Sequence, residues 1–326
     1  MKITIQDIAN MVGVSKSTVS RYLNGGYVSE DTANKISEAV EKTGYRLNFF
    51  AKRLKSKNSG IIGVVISRFD SYTAGKMLKS LNKTLEEKGY QILILSSELN
   101  KEKELECIEK LNQQGVDGIV VMSFSITKEN ISMSNKLSIP IIYTGQSNNL
   151  LKCVKLDDRK AGRILGEYIR DQGHRNIVFL GVSEKDRAVG IERKEGFLEA
   201  FNNIECNIKF IETDFSFNKA YEVSEEVIKE KPTAVVGATD NIILGFVRYA
   251  FEKGYSIPED FSVAGFGGYD IGLAVHPTIT TVNIDYEAVG RKAAEAVVAS
   301  IELDEVIDDI EIKLELIKRH SVKKIN

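Results

Sequence analysis

Lys16, Ser17, Thr18, Ser20 and Arg21 place two cations and three hydroxyls within six residues. These are the groups that meet nucleic acid: ammonium and guanidinium groups address phosphate and guanine, and hydroxyls donate or accept on either. To do so together they must share one exposed face of a rigid element. The surrounding run supplies it, because Val19 and Leu23 are spaced to turn inward from a helix, Ser15 is placed to cap it, and Gly13 allows a sharp turn before it. Upstream, Thr4 and Asp7 have the spacing of a capping box, and Ile5, Ile8, Ala9 and Val12 fall on one face of a first helix. Val28-Ser-Glu-Asp-Thr32 opens a third helix through Ile36, Ala39 and Val40 to Gly44, with Ser29 as cap and two acids in the first turn. Three helices in about 45 residues make the smallest unit that sets a helix in a major groove. Any small capped helical hairpin shares part of this pattern, so the rest of the chain has to discriminate.

Charge does so in part. The 326-residue chain has a formal net charge of −2, yet residues 1–57 carry ten Lys and Arg against five Asp and Glu, a net of +5 that leaves −7 for the remainder. A basic head on an acidic body suits a polyanion at one end only. Cys107, Cys153 and Cys206 are odd in number, widely separated and not spaced as metal ligands. They read as inert thiols of a reducing compartment, with no metal or cofactor implied. No stretch reaches the ~18 apolar residues of a membrane span, and the amino terminus has no apolar leader, so a cytoplasmic location is expected. His174, His276 and His320 have no nucleophile spaced beside them, Gly265-x-Gly267-Gly268 lacks the full dinucleotide fingerprint, and no P-loop run occurs. An enzyme is therefore not expected.

The run Ile5-x-Asp7-Ile-Ala9, Gly13-Val-Ser15-x-x-Thr18-Val-Ser-Arg21-x-Leu-Asn24-Gly, Val28-Ser and Gly44-Tyr45 resembles the DNA-binding domain of the lactose-repressor (LacI/GalR) family. The resemblance implies a homodimeric transcription regulator whose second helix lies in the major groove of a pseudo-palindromic double-stranded operator. It also implies a larger domain that senses a small molecule, usually a sugar. By matching positions Lys16, Ser17 and Arg21 would touch bases, Ser15, Thr18, Ser20 and Asn24 would hold the backbone, and Thr4 is a further DNA contact. The basic segment Arg46–Asn58, with Phe49, Phe50 and Leu54 among its charges, is too short for a stable isolated helix. In the resembled family this linker becomes a helix on the operator and drives a leucine into the minor groove; Leu54 stands there, with Asn48, Ala51 and Lys52 as further contacts. Leu47 replaces the family's usual proline and Lys52 its common arginine, so the hinge departs from the family's pattern at both positions.

From Gly60 the pattern changes. Ile61–Ile66 is a β-branched apolar run of the kind buried in a parallel sheet, and strands then alternate with helices. The spacing predicts a first series of strands at 61–66, 91–96, 118–122 and 139–143, with helices through Met77–Leu85 and 102–114. A second series opens near Cys153–Leu156, with helices at 160–171, 192–201, 219–229 and 242–252 between strands at 176–181, 207–211, 234–237 and 262–266. Strand 279–283, helix 286–301 and the alternating 310–316 look like the chain recrossing between lobes. The expected fold is α/β: a three-helix helix-turn-helix domain at 1–46, a hinge at 47–59, and a two-lobed domain at 60–326 with doubly wound parallel sheets. The near lobe would comprise about 60–156 and 284–312, the far lobe about 157–283 and 313–326. The order resembles the periplasmic-binding-protein type I fold used by the same family.

In such sheets a ligand lies beyond the carboxyl ends of the strands. The strand ends nominate Ser67, Arg68, Phe69, Asp70, Ser71 and Tyr72, then Phe124, Gln146, Asp157, Thr239, Asp240 and Phe266, with Tyr286 as a further aromatic. Short donors and acceptors with aromatics among them suit a polyhydroxyl ligand. The resemblance adds Arg193, in Arg193-x-x-Gly196-Phe197, as the arginine that bridges sugar hydroxyls. Thr239 replaces a frequent asparagine, and Gly267-Gly268 stand where many members have a ligand-gripping Asp pair, so this ligand has to be held differently. Arg68–Gly75 together with Gly265–Tyr269 resembles the sucrose-operon repressor branch. The expected function is a repressor of a sucrose-utilisation operon, released when a sugar or sugar phosphate closes the lobes and shifts the dimer interface near residues 60–120. Competing readings are a family regulator with a corepressor or a non-sugar ligand, and a sugar-binding transport component. The last has no use for residues 1–57.

Overall fold

The computed structural model of the protein describes residues 3–23, 26–45, 58–146, 148–303 and 312–325. The chain divides into two compact units, Met1–Ser59 and Gly60–Asn326.

In the first unit, helices span Ile5–Val12, Lys16–Leu23 and Glu30–Thr43. The first begins at a capping box: the Asp7 N–H donates to Thr4 Oγ1 at 3.3 Å and the Thr4 N–H donates to Asp7 Oδ2 at 2.8 Å. Gly13 ends it in the left-handed region at φ 73°. The Thr18 N–H then donates to Ser15 Oγ at 3.2 Å, which starts the second helix. Ser29 precedes the third, but its hydroxyl donates to Thr32 Oγ1 instead of capping a backbone amide. Ile8, Ala9, Val19, Ile36 and Ala39 form the buried core, with Ile5, Val12, Leu23 and Val40 packed around it. So small a core makes each cap count. Thr4→Ala is expected to destabilise this unit by about 1 kcal/mol, read as a lower unfolding midpoint in the helical signal of the unit's own transition.

In the second unit, β1 (Ile61–Ile66), β2 (Gln91–Ser96), β3 (Gly118–Met122), β4 (Ile141–Thr144) and β5 (Cys153–Val154) form a parallel sheet in the order β2-β1-β3-β4-β5. Its strands are apolar on both sides because helices cover both faces. Ile62, Val64, Ile66 and Val120 pack under helices Tyr72–Glu87 and Tyr286–Glu302, while Val65, Ile119 and Val121 pack under helix Lys101–Gln113. A second sheet has the order β11-β10-β9-β8-β6-β7, from β6 (Asn176–Gly181), β7 (Asn207–Glu212), β8 (Ala234–Gly237), β9 (Ser262–Gly267), β10 (Thr280–Ile284) and β11 (Leu314–Ile317). Only β11 runs antiparallel in it, against β10. Helices Asp158–Asp171, Phe217–Lys229 and Asp240–Glu252 belong to this lobe. The recrossing expected near the carboxyl end is present: β10 lies in the second sheet, helix Tyr286–Glu302 packs on the first, and β11 returns to the second.

Three local readings are corrected. Cys153–Val154 pairs with β4 and closes the first sheet, where the sequence suggested the opening of the second series. A helix at Lys128–Lys136 links β3 to β4, started by a capping box between Thr127 and Asn130. The single helix expected at 192–201 is instead a wide π turn at Arg187–Arg193 that runs into a short α-helix, Lys194–Glu199.

Candidate DNA-reading face and interlobe cleft

Lys16, Ser17 and Arg21 are exposed on the second helix, Thr18 and Ser20 are half-buried beside them, and Val19 is buried on the opposite side. The helix therefore presents one polar, cationic face. Ser15 both caps it and bonds the Ser17 and Thr18 hydroxyls at 2.7 and 2.8 Å. Thr4 is exposed at the first helix's start, where Asp7 holds its amide and hydroxyl. Asn24, Asn48, Ala51, Lys52 and Leu54 lie outside the described residues.

Within the second unit, the loops at the carboxyl ends of both sheets converge on a cavity of about 230 Å³. Ser67, Arg68, Asp70, Ser71, Tyr72, Phe124 and Gln146 line it from the first lobe. Arg193 and Thr239 line it from the second, and Tyr286 from the recrossing segment. Ser71, not Asp70, caps helix Tyr72–Glu87, and Arg68 Nε lies 3.1 Å from Asp70 Oδ1 with its guanidinium carbon 5.9 Å from the Phe215 ring centroid.

Arg193 is almost fully buried. Its Nε donates to Asp158 Oδ1 at 3.0 Å, its Nη2 donates to the same oxygen, and its Nη1 donates to the Ala238 carbonyl at 2.6 Å. Burial opposes its charge, but Asp158 against it keeps the guanidinium protonated well beyond any working pH. Tyr286 stands beside the pair, and burial pushes its hydroxyl up to about 12, so it remains a neutral donor.

Four nominated residues are placed differently. Asp157 is the cap of helix Asp158–Asp171, accepting from the Lys160 N–H at 2.8 Å and facing a neighbouring polar hollow; the carboxylate in the cleft is the next residue, Asp158. Phe69 points outward and is 72% exposed. Phe266 lies wholly buried behind the cleft, where its ring centroid is 5.0 Å from the Arg193 guanidinium. Asp240 is turned into the second lobe, accepting from the Tyr269 N–H and the Thr281 hydroxyl at 2.7 Å each. Gly267 and Gly268 make that turn with φ of 124° and 68°; a Cβ at Gly268 would lie 2.1 Å from Asn283 Oδ1.

Burial pushes the Asp240 carboxyl up to about 6 from 3.8, against the opposing pull of the Tyr269 N–H and the Thr281 hydroxyl. In the window between those values the native state holds a proton that the unfolded chain has released, so this group makes stability fall as pH rises through it. Asp240→Asn is expected to remove roughly 3 kcal/mol of that fall. Urea unfolding of both proteins at pH 4 and pH 7 checks it; an identical pH response would contradict the assignment.

Asp186, which the sequence did not nominate, and Tyr269, from the strand end that follows Gly265, complete the cleft. Asp186 caps the Arg187–Arg193 turn through the Val189 N–H at 2.9 Å and accepts from the Gln146 side-chain amide at 3.1 Å, a bond across the lobes. Burial pushes its carboxyl up, and the Val189 N–H opposes this. Tyr269 stacks on Tyr72 at 4.0 Å, while the Tyr72 hydroxyl and Lys76 Nζ donate to Asp270 Oδ2 at 2.9 and 2.8 Å. The lobes thus touch through side chains on two sides of the cavity.

Residues 4–48 match the lacI family of bacterial regulatory proteins, and residues 167–322 match the periplasmic binding protein-like domain. The chain is 36% identical to the sucrose operon repressor of Staphylococcus xylosus over 295 residues, 89% of this chain and 91% of that protein. It is 28% identical to catabolite control protein A of Priestia megaterium over 290 residues, 86% and 87% of the two chains. Its fold matches a crystal structure of the Lac repressor dimer bound to operator and the anti-inducer ONPF, with a TM-score of 0.89, covering 99% of this chain and 100% of that one at 22% identity. With a head of three short helices, two parallel-sheet lobes around a polar cleft, and these relatives along nearly its whole length, the chain belongs to the lacI family of bacterial regulatory proteins.

Proposed function

We propose that the protein is a homodimeric, cytoplasmic repressor that binds operator DNA through the Lys16–Leu23 helix and releases it when a sugar occupies the interlobe cleft. One observation carries this reading: a single chain joins an exposed cationic helix face to a cleft lined by hydroxyls, amides, carboxylates and aromatic rings from two lobes. On the DNA side, Lys16, Ser17 and Arg21 read base edges, and Thr4, Ser15, Thr18 and Ser20 position the backbone. In the cleft, Arg193 and Asp158 fix each other and address ligand hydroxyls, with Gln146, Asp186 and Tyr286 around them. Charged groups held this rigidly suit recognition. No histidine lines the cavity among its described residues, and we read its role as binding and not catalysis.

Similarity to the sucrose operon repressor of Staphylococcus xylosus supports sucrose, or a sugar derived from it, as the signal. Selecting bound sequences from a pool of random 30-base-pair duplexes, about three helical turns long, tests the DNA half. A pseudo-palindromic site is expected, and Arg21→Ala should weaken it by about 1–3 kcal/mol and relax one base position in each half-site. Recovery of no enriched sequence would overturn the proposal. A coupling of ~1–3 kcal/mol would make sugar weaken the selected duplex about 5- to 150-fold.

A further inference from the structure

We propose that the cleft takes an uncharged sugar and rejects its phosphate ester, because the charged side chains lining the cavity sum to net negative and each cation among them already faces a carboxylate. The inference rests on the sugar-sensing reading and narrows it to a ligand class.

The charged groups along the described cavity wall are Arg68, Asp70, Asp158, Asp186 and Arg193, two cations against three carboxylates. Arg193 spends Nε and Nη2 on Asp158 and an Nη1 hydrogen on the Ala238 carbonyl. Arg68 faces Asp70 at 3.1 Å. The donors recorded on Asp186 are neutral, the Val189 N–H and the Gln146 amide. Burial favours the protonated form of Asp186, yet a proton there only brings the wall to neutrality.

Helix amino termini are the other means of holding a phosphate, through bare amides and the helix dipole. Here the five whose first turns border the cavity are already capped by their own side chains. Ser71 accepts from the Ala74 N–H, Asp157 from the Lys160 N–H, Asp186 from the Val189 N–H, Thr239 from the Ile242 N–H and Asp285 from the Ala288 N–H. At the Arg187–Arg193 turn the cap is itself a carboxylate, so a phosphate arriving there would meet like charge in a poorly solvated site.

A neutral polyol fits the same wall. Both Arg193 contacts to Asp158 fall on Oδ1, and Asp158 lines the cavity, so its carboxylate has acceptor capacity left for a ligand hydroxyl. Asp186 can accept a second hydroxyl when the lobes part at Gln146, and hydrogen bonds to carboxylates are the stronger kind.

Calorimetric titration of the full-length protein with sucrose, sucrose 6-phosphate, fructose and fructose 6-phosphate tests this. The neutral member of the binding pair is expected to be about tenfold tighter or more. A phosphate ester that binds equally or more tightly overturns the inference and leaves sugar sensing intact. No heat from any of the four overturns both. Asp70→Asn removes a carboxylate from the exposed rim and leaves Arg68 without its partner, so the neutral-to-phosphorylated ratio is expected to fall by a factor of about ten; an unchanged ratio would show that wall charge is not what discriminates. Should that variant fail to fold, the native protein's ratio decides alone.

Discussion

Arg193→Ala should lower the stability of the second unit by about 3–5 kcal/mol, because it strands a buried carboxylate. The side chain of Asp158 is 4% exposed, and the cation recorded against it is Arg193. The Ala238 carbonyl at the end of β8 loses its donor at the same time. Two effects are then superposed, lost stability and lost ligand contact. A second variant separates them: Arg193→Met with Asp158→Asn removes both charges and keeps much of the volume. That double variant should recover most of the melting temperature while still failing to bind sucrose, so that it stays on its DNA when sugar is added. If the double variant binds sucrose as the native protein does, Arg193 is only a strut.

Gly162→Ala should be nearly as damaging for a different reason. Helix Asp158–Asp171 crosses the Arg187–Glu199 segment with backbone against backbone: a Cβ at Gly162 would lie 2.0 Å from the Arg193 carbonyl oxygen and 2.8 Å from the Phe197 nitrogen. On the facing segment, a Cβ at Gly196 would lie 1.9 Å from the Arg159 carbonyl oxygen. Backbone has no flexible end to swing aside, so the segments must separate, and separation carries Arg193 away from Asp158. We expect a loss of roughly 3 kcal/mol, the upper part of the usual range for overpacking, together with weakened sucrose binding. Gly75 is the control, since its would-be Cβ has nothing within 4 Å and it lies inside helix Tyr72–Glu87. Gly75→Ala should stabilise by about 0.5–1 kcal/mol through helix propensity. Thermal unfolding of the three proteins side by side is sufficient; a Gly162→Ala protein that melts with the native one would mean that the crossing is loose.

Local chemistry carried much of the reading from sequence. The Thr4–Asp7 capping box, the Gly13 turn and the Ser15 cap depend on neighbours within three residues, and each forms as the spacing implies. The β-branched run Ile61–Ile66 likewise declares a strand covered on both faces. What was missed depends on contacts distant in the chain, or on a shift of one residue. Asp157 and Asp158 are indistinguishable by composition. Which one caps and which faces the cleft follows from where helix Asp158–Asp171 begins, about a 100° rotation per residue. Asp186 gave no signal because its cap serves a π turn, a form with little sequence signature. Helix Lys128–Lys136 has a Ser- and Asn-rich sequence with a weak apolar face, so periodicity does not declare it, although the Thr127–Asn130 pair is a legible start. Phe266 and Asp240 sit at strand ends as ligand residues do, but alternation along β9 and the first turn of helix Asp240–Glu252 turn both inward.

A repressor released by sugar couples the ligand in its cleft to the DNA on its Lys16–Leu23 helix, and coupling of binding free energies is reciprocal. The most direct test is to measure sucrose affinity by calorimetry twice, once on the protein alone and once on the protein saturated with its selected duplex. Sucrose is expected to bind about 5- to 150-fold more weakly to the DNA-bound protein. Equal affinities in the two titrations would contradict it.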